Sequence, residues 1–122
     1  MTSGDIVAQR SPAGVAGPPR IFAFSGRLTY GPENEQRYEE FRAAMEEGAR
    51  DFIFDLQHVP DMDSAGIGFL VECLTTSRRM GARLTLAAPS NRVLYSLLIT
   101  RLDSLFPVYE TVEAALAGAS RR

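Results

Sequence analysis

Two hydrophobic periods alternate along this chain, and each stretch of one period predicts one secondary-structure element. Short runs of apolar, branched and aromatic residues predict strands, whereas apolar positions three or four residues apart predict helices. Strands are expected at 20–25, 51–56, 83–87 and 105–109, and helices at 33–47, 64–80, 91–100 and 112–117. A further short edge strand is predicted at 5–9. The resulting order is ββαβαβαβα.

Strands that alternate with helices predict a parallel sheet with right-handed crossovers. We therefore expect an α/β domain with a mostly parallel central sheet, an antiparallel edge and about four covering helices. The run 51–56 is largely apolar, which is typical of a central strand covered on both faces. Functional residues of such sheets lie in the loops at the carboxyl ends of the strands.

The length and composition predict a single domain, because 122 residues with 45% hydrophobic content can bury one ordinary core. Residues 1–19 are rich in Gly, Ser and Pro, and we expect them to form a loop that follows the possible edge strand. The domain proper is expected at 20–118, together with that strand, and a short polar tail at 119–122.

Composition also excludes several classes of function. All 13 basic residues are arginines, so the chain has neither a catalytic lysine nor a phosphate-binding lysine. The formal net charge is −2, and the chain therefore lacks the basic face that nucleic acids require. Cys73 and His58 are the single residues of their types, so one chain can form neither a disulfide nor a Cys/His zinc site. Cys73 is expected to pack in the interior. With no membrane-span-length apolar run and no secretory signal, we expect a cytoplasmic protein without membrane insertion.

The segment 62–68, Met-Asp-Ser-Ala-Gly-Ile-Gly, follows a strand and opens a helix, which places the Ser64 hydroxyl at a helix N-terminus. Unpaired N–H groups and a partial positive charge at this position would hold a negative group attached to the serine. The segment therefore favours a phosphorylatable switch. The alternative is that Asp63 or Ser64 merely caps the helix, a contribution of about 1 kcal/mol.

Two glycines in the first turns of this helix, Gly66 and Gly68, each cost roughly 1 kcal/mol relative to alanine. A pure cap gives no reason for them, so we expect another backbone to approach closely. The helix also has two apolar stripes, one containing Leu70 and Leu74 and the other containing Phe69 and Cys73. One should face the sheet, and the second should either dock a partner or pack against a neighbouring helix, with Phe69 as the deciding residue.

From Arg20 onwards the chain resembles a STAS domain of the bacterial anti-sigma factor antagonist family. The resemblance rests on Ser-Gly-Arg-Leu at 25–28, the strand at 51–56, the Asp-Ser-x-Gly-x-Gly pattern within 62–68, and Leu-Asp-Ser-Leu-Phe at 102–106. Two positions depart from the family pattern, because Thr29 stands where an aspartate is common and Arg101 where a glycine is usual. At those two positions the family's partner recognition does not carry over directly to this chain.

The resemblance implies a regulatory protein without catalytic residues, cofactor or metal. An anti-sigma factor that is also a Ser/Thr kinase would phosphorylate Ser64, and a protein phosphatase would remove the phosphate. The unphosphorylated form would bind the anti-sigma factor and thereby release a sigma factor for transcription. The partner-binding residues implied in this way are Thr29, Asp63, Ser64, Ala65, Gly66, Ile67, Gly68 and Phe69.

Rival interpretations remain open. Residues 64–66 match the second half of a Gly-x-Ser-x-Gly nucleophile elbow, for which His58 is the only candidate base and Asp55 or Asp61 the candidate orienting residue. The glycines half-match a dinucleotide-binding fingerprint that lacks its third glycine. The stronger rival is a non-switching STAS module in a signalling scaffold or in a lipid or anion transport complex.

Overall fold

The structure is a computed structural model that describes residues 17–120. Its strands are β1 (Arg20–Ser25), β2 (Asp51–His58), β3 (Arg83–Ala87) and β4 (Val108–Tyr109). Its helices are α1 (Pro32–Glu46), α2 (Ser64–Arg79), α3 (Asn91–Ile99) and α4 (Val112–Ser120), with a 3₁₀ turn at Leu102–Ser104 before β4. The described elements therefore alternate strictly between strand and helix.

The four described strands form one parallel sheet in the order β1-β2-β3-β4. Successive crossovers of one hand in this order place the intervening helices on the same face of the sheet. Accordingly, Phe41 of α1, Leu70 of α2 and Leu97 of α3 belong to one buried cluster. Helix α4 covers the opposite face, where Ala115 packs with Ile53.

Aromatic side chains dominate the core between the sheet and α1. Phe41 lies with its ring centroid 4.8 Å from that of Phe52 and 5.3 Å from that of Phe54, both in edge-to-face geometry. Phe24 lies 4.9 Å from Phe54 and extends this cluster to the carboxyl end of β1. The core therefore buttresses the edge of the sheet from which the segment 62–68 emerges.

The predicted α/β class and the alternation of elements are confirmed. Strand β2 continues to His58, and α4 continues to Ser120. Strand β4 is shorter than predicted, because Leu105 and Phe106 donate their backbone N–H groups to the Leu102 carbonyl and close the 3₁₀ turn. The strand predicted at 5–9 lies outside the described residues, and no described strand provides the antiparallel edge, which stays a prediction. No helix between residues 17 and 120 is long and apolar enough to cross a membrane.

Candidate functional site

The loops that leave β1 and β2 are joined to each other by backbone hydrogen bonds. Gly26, with φ +83°, turns the chain and donates its N–H to the His58 carbonyl at 2.9 Å. Leu28 then donates to the Asp61 carbonyl at 3.0 Å and accepts from the Asp63 N–H at 3.2 Å. These bonds anchor the start of α2 at the carboxyl edge of the sheet.

The glycine prediction is confirmed for Gly66 and wrong for Gly68. A Cβ on Gly66 would lie 2.1 Å from the carbonyl oxygen of Leu28, so only glycine allows α2 to approach that backbone. A Cβ on Gly68 would meet nothing within 4 Å, and this residue is exposed. The close approach of another backbone therefore explains one of the two glycines.

Asp63 is the residue that caps α2. Its Oδ1 accepts the Gly66 N–H at 2.9 Å, and its Oδ2 accepts the Thr29 hydroxyl at 2.5 Å. Ser64 is the first residue of the helix and is exposed, and its hydroxyl forms no hydrogen bond with any part of the chain that the structure describes. The capping role therefore belongs to Asp63 and leaves the serine oxygen available.

Hydrogen bonds to the carboxylate lower the pKa of Asp63 below its ordinary value of 3.8, the Thr29 hydroxyl being the main cause and the Gly66 N–H the next. The positive charge of Arg27 acts in the same direction. Asp63 is consequently ionised at neutral pH and keeps a fixed negative charge beside Ser64. An aspartate at position 29 would face Asp63 with a like charge, whereas the threonine donates to it.

Thr29→Val is expected to raise the pKa of Asp63 towards its ordinary value, because the substitution removes the strongest donor to the charged form. A lowered native pKa contributes stability above the unfolded-state pKa, and this contribution is lost as pH falls through the native value. The variant should therefore lose stability relative to the native chain at neutral pH and lose less on acidification. Carboxyl-carbon NMR titration measures the pKa directly.

The matched control for this titration is Thr75→Val, which removes a threonine hydroxyl that bonds only the Val71 carbonyl within α2. It should leave the pKa of Asp63 unchanged. An Asp63 pKa that is the same in Thr29→Val and in the native chain would contradict the assigned role of Thr29.

Sequence analysis missed two arginines near the start of α2. Arg27 Nε lies 3.3 Å from Asp61 Oδ1, and Arg92 Nη1 lies 3.7 Å from Asp61 Oδ2. Arg27 comes from the loop after β1 and Arg92 from the first turn of α3, and no spacing in the sequence links them to each other or to Asp61. Together they offset part of the negative charge of Asp61 and Asp63 on this edge.

Phe69 packs sideways against the rest of the core. Its ring centroid lies 5.8 Å from that of Phe24, and farther along α2 the Thr76 hydroxyl shares a 2.7 Å hydrogen bond with Tyr38 of α1. Cys73 is fully buried, and burial raises the pKa of its thiol, as expected for a packing residue. The apolar stripe of α2 that contains Phe69 and Cys73 therefore packs against α1 and β1. Phe69 also lines a surface groove.

That groove, the α1–α2 groove, has a volume of about 630 Å³. It brings together four of the predicted partner-binding residues, namely Thr29, Ala65, Gly68 and Phe69. Ser64 is exposed one residue before Ala65, whereas Gly66 is buried and Ile67 packs against the core. The predicted binding set thus divides into surface residues and residues that shape the turn.

The nucleophile-elbow geometry is not assembled. Within residues 17–120, the His58 side chain makes no hydrogen bond with Ser64 or with any other group. Asp55 accepts the backbone N–H of Gln57, and Asp61 is paired with the two arginines. The described residues also contain no group of three potential metal ligands.

Arg101 occupies a left-handed conformation, with φ +63°. A non-glycine residue costs about 1 kcal/mol or more in this region, which explains why glycine suits the position. The residue ends the turn after α3 and lies outside the lining of the α1–α2 groove.

Comparisons with known proteins show which family and which folds this chain is similar to. Residues 11–115 match the model of the STAS domain. A Thermotoga neapolitana protein, provisionally named an anti-sigma factor antagonist, is 30% identical over 85 residues, which are 70% of this chain and 73% of that protein. Among solved structures, a STAS-domain anti-sigma factor antagonist from Planctomyces limnophilus has a TM-score of 0.68 and 27% identity, covering 88% of this chain and 92% of that one. A sulfate transporter family protein from Wolinella succinogenes has a TM-score of 0.74 and 21% identity, covering 98% of this chain and 93% of that one.

Proposed function

Because the chain belongs to the STAS domain family, we propose that it is a cytoplasmic anti-sigma factor antagonist switched by phosphorylation of Ser64. The unphosphorylated form binds an anti-sigma factor that is also a Ser/Thr kinase, and thereby frees a sigma factor for transcription. Phosphorylation of Ser64 releases the anti-sigma factor, and a protein phosphatase restores the binding form. The protein controls transcription in this way without contacting DNA.

The availability of the Ser64 hydroxyl is the observation that carries this proposal. The serine lies at the exposed first position of α2, and its oxygen takes no part in the hydrogen bonds of the described chain. Since Asp63 already caps the helix, attaching a phosphate to Ser64 removes no structural interaction. The modification therefore leaves the fold intact and alters only the surface.

The expected release follows from charge. A phosphate adds about −1.5 to −2 charges at pH 7, and the helix dipole tolerates this charge on the free protein. In a docked interface the phosphate would lose solvent beside the ionised Asp63. Such a charge could cost on the order of 2 to 5 kcal/mol, or about 30-fold to several-thousand-fold in affinity.

Intact-mass analysis with site mapping tests the switch without a known partner. The protein isolated from its native cells, with and without stress, should carry a phosphate on Ser64 whose occupancy changes with conditions. Ser90 is a useful internal reference, because its hydroxyl donates to the Pro60 carbonyl and caps α3, and it should remain unmodified. A Ser64 that is unmodified under every condition would contradict the proposal.

A second candidate function is a non-switching STAS module in a transport complex or a signalling scaffold. Its support is at the level of the fold, which this chain shares over 98% of its length, at 21% identity, with the Wolinella succinogenes sulfate transporter family protein. Such a module should co-purify with membrane proteins or scaffold components, and the Ser64→Ala variant should do so as well as the native chain. If the chain purifies without any membrane protein or scaffold component, the non-switching function is excluded.

A further inference from the structure

The lining of the α1–α2 groove combines aromatic rings with carboxylates. Tyr30, Tyr38 and Phe69 contribute rings, and Glu35, Glu39 and Glu72 contribute negative charges from both helices. The remaining lining residues are Thr29, Gly31, Asn34, Ala65 and Gly68, so no arginine lines the groove. A lining of this composition favours a positively charged ligand over an anion.

The three carboxylates differ in the hydrogen bonds and ion pairs that they already make. Glu35 accepts the Tyr30 hydroxyl at 2.7 Å, and Glu39 lies 3.6 Å from Arg42 Nε. The Glu72 carboxylate has neither a hydrogen bond nor an ion pair with any residue from 17 to 120. The hydrogen bond to Glu35 is the main cause that raises the pKa of Tyr30, and the negative charge of Glu35 acts in the same direction.

We propose that the α1–α2 groove binds a linear polyamine. A volume of about 630 Å³ lies within the range of small-molecule sites and exceeds what one amine needs. Glu35 and Glu39 are one helical turn apart, about 6 Å along α1, and Glu72 adds a third charge from α2. Ammonium groups separated by a few methylenes can reach successive carboxylates in this arrangement.

The aromatic residues complete the match to this ligand. Aromatic ring faces attract ammonium groups, and they also cover the methylene segments between them. Tyr30 is 74% exposed, which leaves most of its surface for a ligand. A divalent metal ion would use the carboxylates alone, and a neutral apolar molecule would use the rings alone. A polyamine uses both.

Titration calorimetry of the full chain at low salt tests the proposal with three probes of equal length. Spermidine carries three amines, 1,8-diaminooctane replaces the central amine by a methylene, and 1,8-octanediol is neutral. Affinity should decrease at least threefold from spermidine to the diamine, and the diol should not bind. Spermidine should also shift the NMR signals of Gly68 and Glu72.

Variants then locate the site. Glu72→Gln should weaken spermidine binding about fivefold to tenfold. A loss of this size corresponds to one exposed ion pair or slightly more. Tyr30→Leu, at an exposed position, should weaken it about threefold. Glu113→Gln is the matched control, because it removes the same charge from α4 on the opposite face of the sheet, and binding should not change.

Several outcomes would overturn the proposal. Equal losses in Glu72→Gln and Glu113→Gln would mean unspecific attraction to net negative charge, and equal binding of the diol would mean a simple apolar groove. Magnesium that displaces spermidine at equal concentration would indicate a metal site. A short lysine-containing peptide that binds where spermidine does not would assign the groove to a protein partner. None of these measurements requires the anti-sigma factor, so the result stands apart from the proposed function.

Discussion

Ser64→Asp should bind the anti-sigma factor at least about 30-fold more weakly than the native chain. The substitution adds a second carboxylate next to Asp63, whose ionised form is stabilised by Thr29 and the Gly66 N–H. Two adjacent negative charges lose solvent when a partner covers the start of α2, and the nearby Arg27 is already paired with Asp61. Titration calorimetry against the purified anti-sigma factor measures the loss.

Two further variants separate charge from size at this position. Ser64→Asn has nearly the shape of aspartate without its charge, and it should bind within a few-fold of the native affinity. Ser64→Ala should bind constitutively, including after incubation with the kinase and ATP. If Ser64→Asn is as weak as Ser64→Asp, steric exclusion rather than charge controls the interface, and equal binding by the alanine and aspartate variants rules out the switch.

Gly66→Ala should lower the free energy of unfolding by about 3 kcal/mol. The added Cβ would lie 2.1 Å from the Leu28 carbonyl oxygen and 2.7 Å from its carbon, so the backbone must move. That movement disrupts the bonds that Leu28 makes with Asp61 and Asp63. Urea unfolding monitored by circular dichroism measures the change.

Gly68→Ala is the matched control for this effect. It introduces the same methyl group two residues later, where nothing lies within 4 Å, and α2 should gain up to about 1 kcal/mol from the better helix propensity of alanine. Opposite signs for the two variants are therefore expected. A Gly66→Ala variant as stable as the native chain would refute the close contact between α2 and the β1 loop.

Much of the fold was predictable from local patterns. Runs such as 83–87 and the helical spacing of Phe41 and Met45 identify their elements because strand and helix periodicities are local properties of the chain. The boundary was less accurate at β4, because Leu105 and Phe106, which the apolar pattern assigned to the strand, donate to the Leu102 carbonyl and close the 3₁₀ turn. The position of Ser64 at the start of α2 also followed from the sequence, since strand ends and helix starts are read from neighbouring residues.

By itself, the sequence determined the order of elements, the α/β class and the serine at a helix start, because each depends on residues close together in the chain. Only the tertiary structure decided which residue caps that helix, since Asp63 is held by Thr29, 34 positions away. It also decided that Gly66 rather than Gly68 meets the backbone of Leu28, and that carboxylates of α1 and α2 face a common groove. Such relations depend on how distant segments pack, and packing brings together side chains that no local pattern connects.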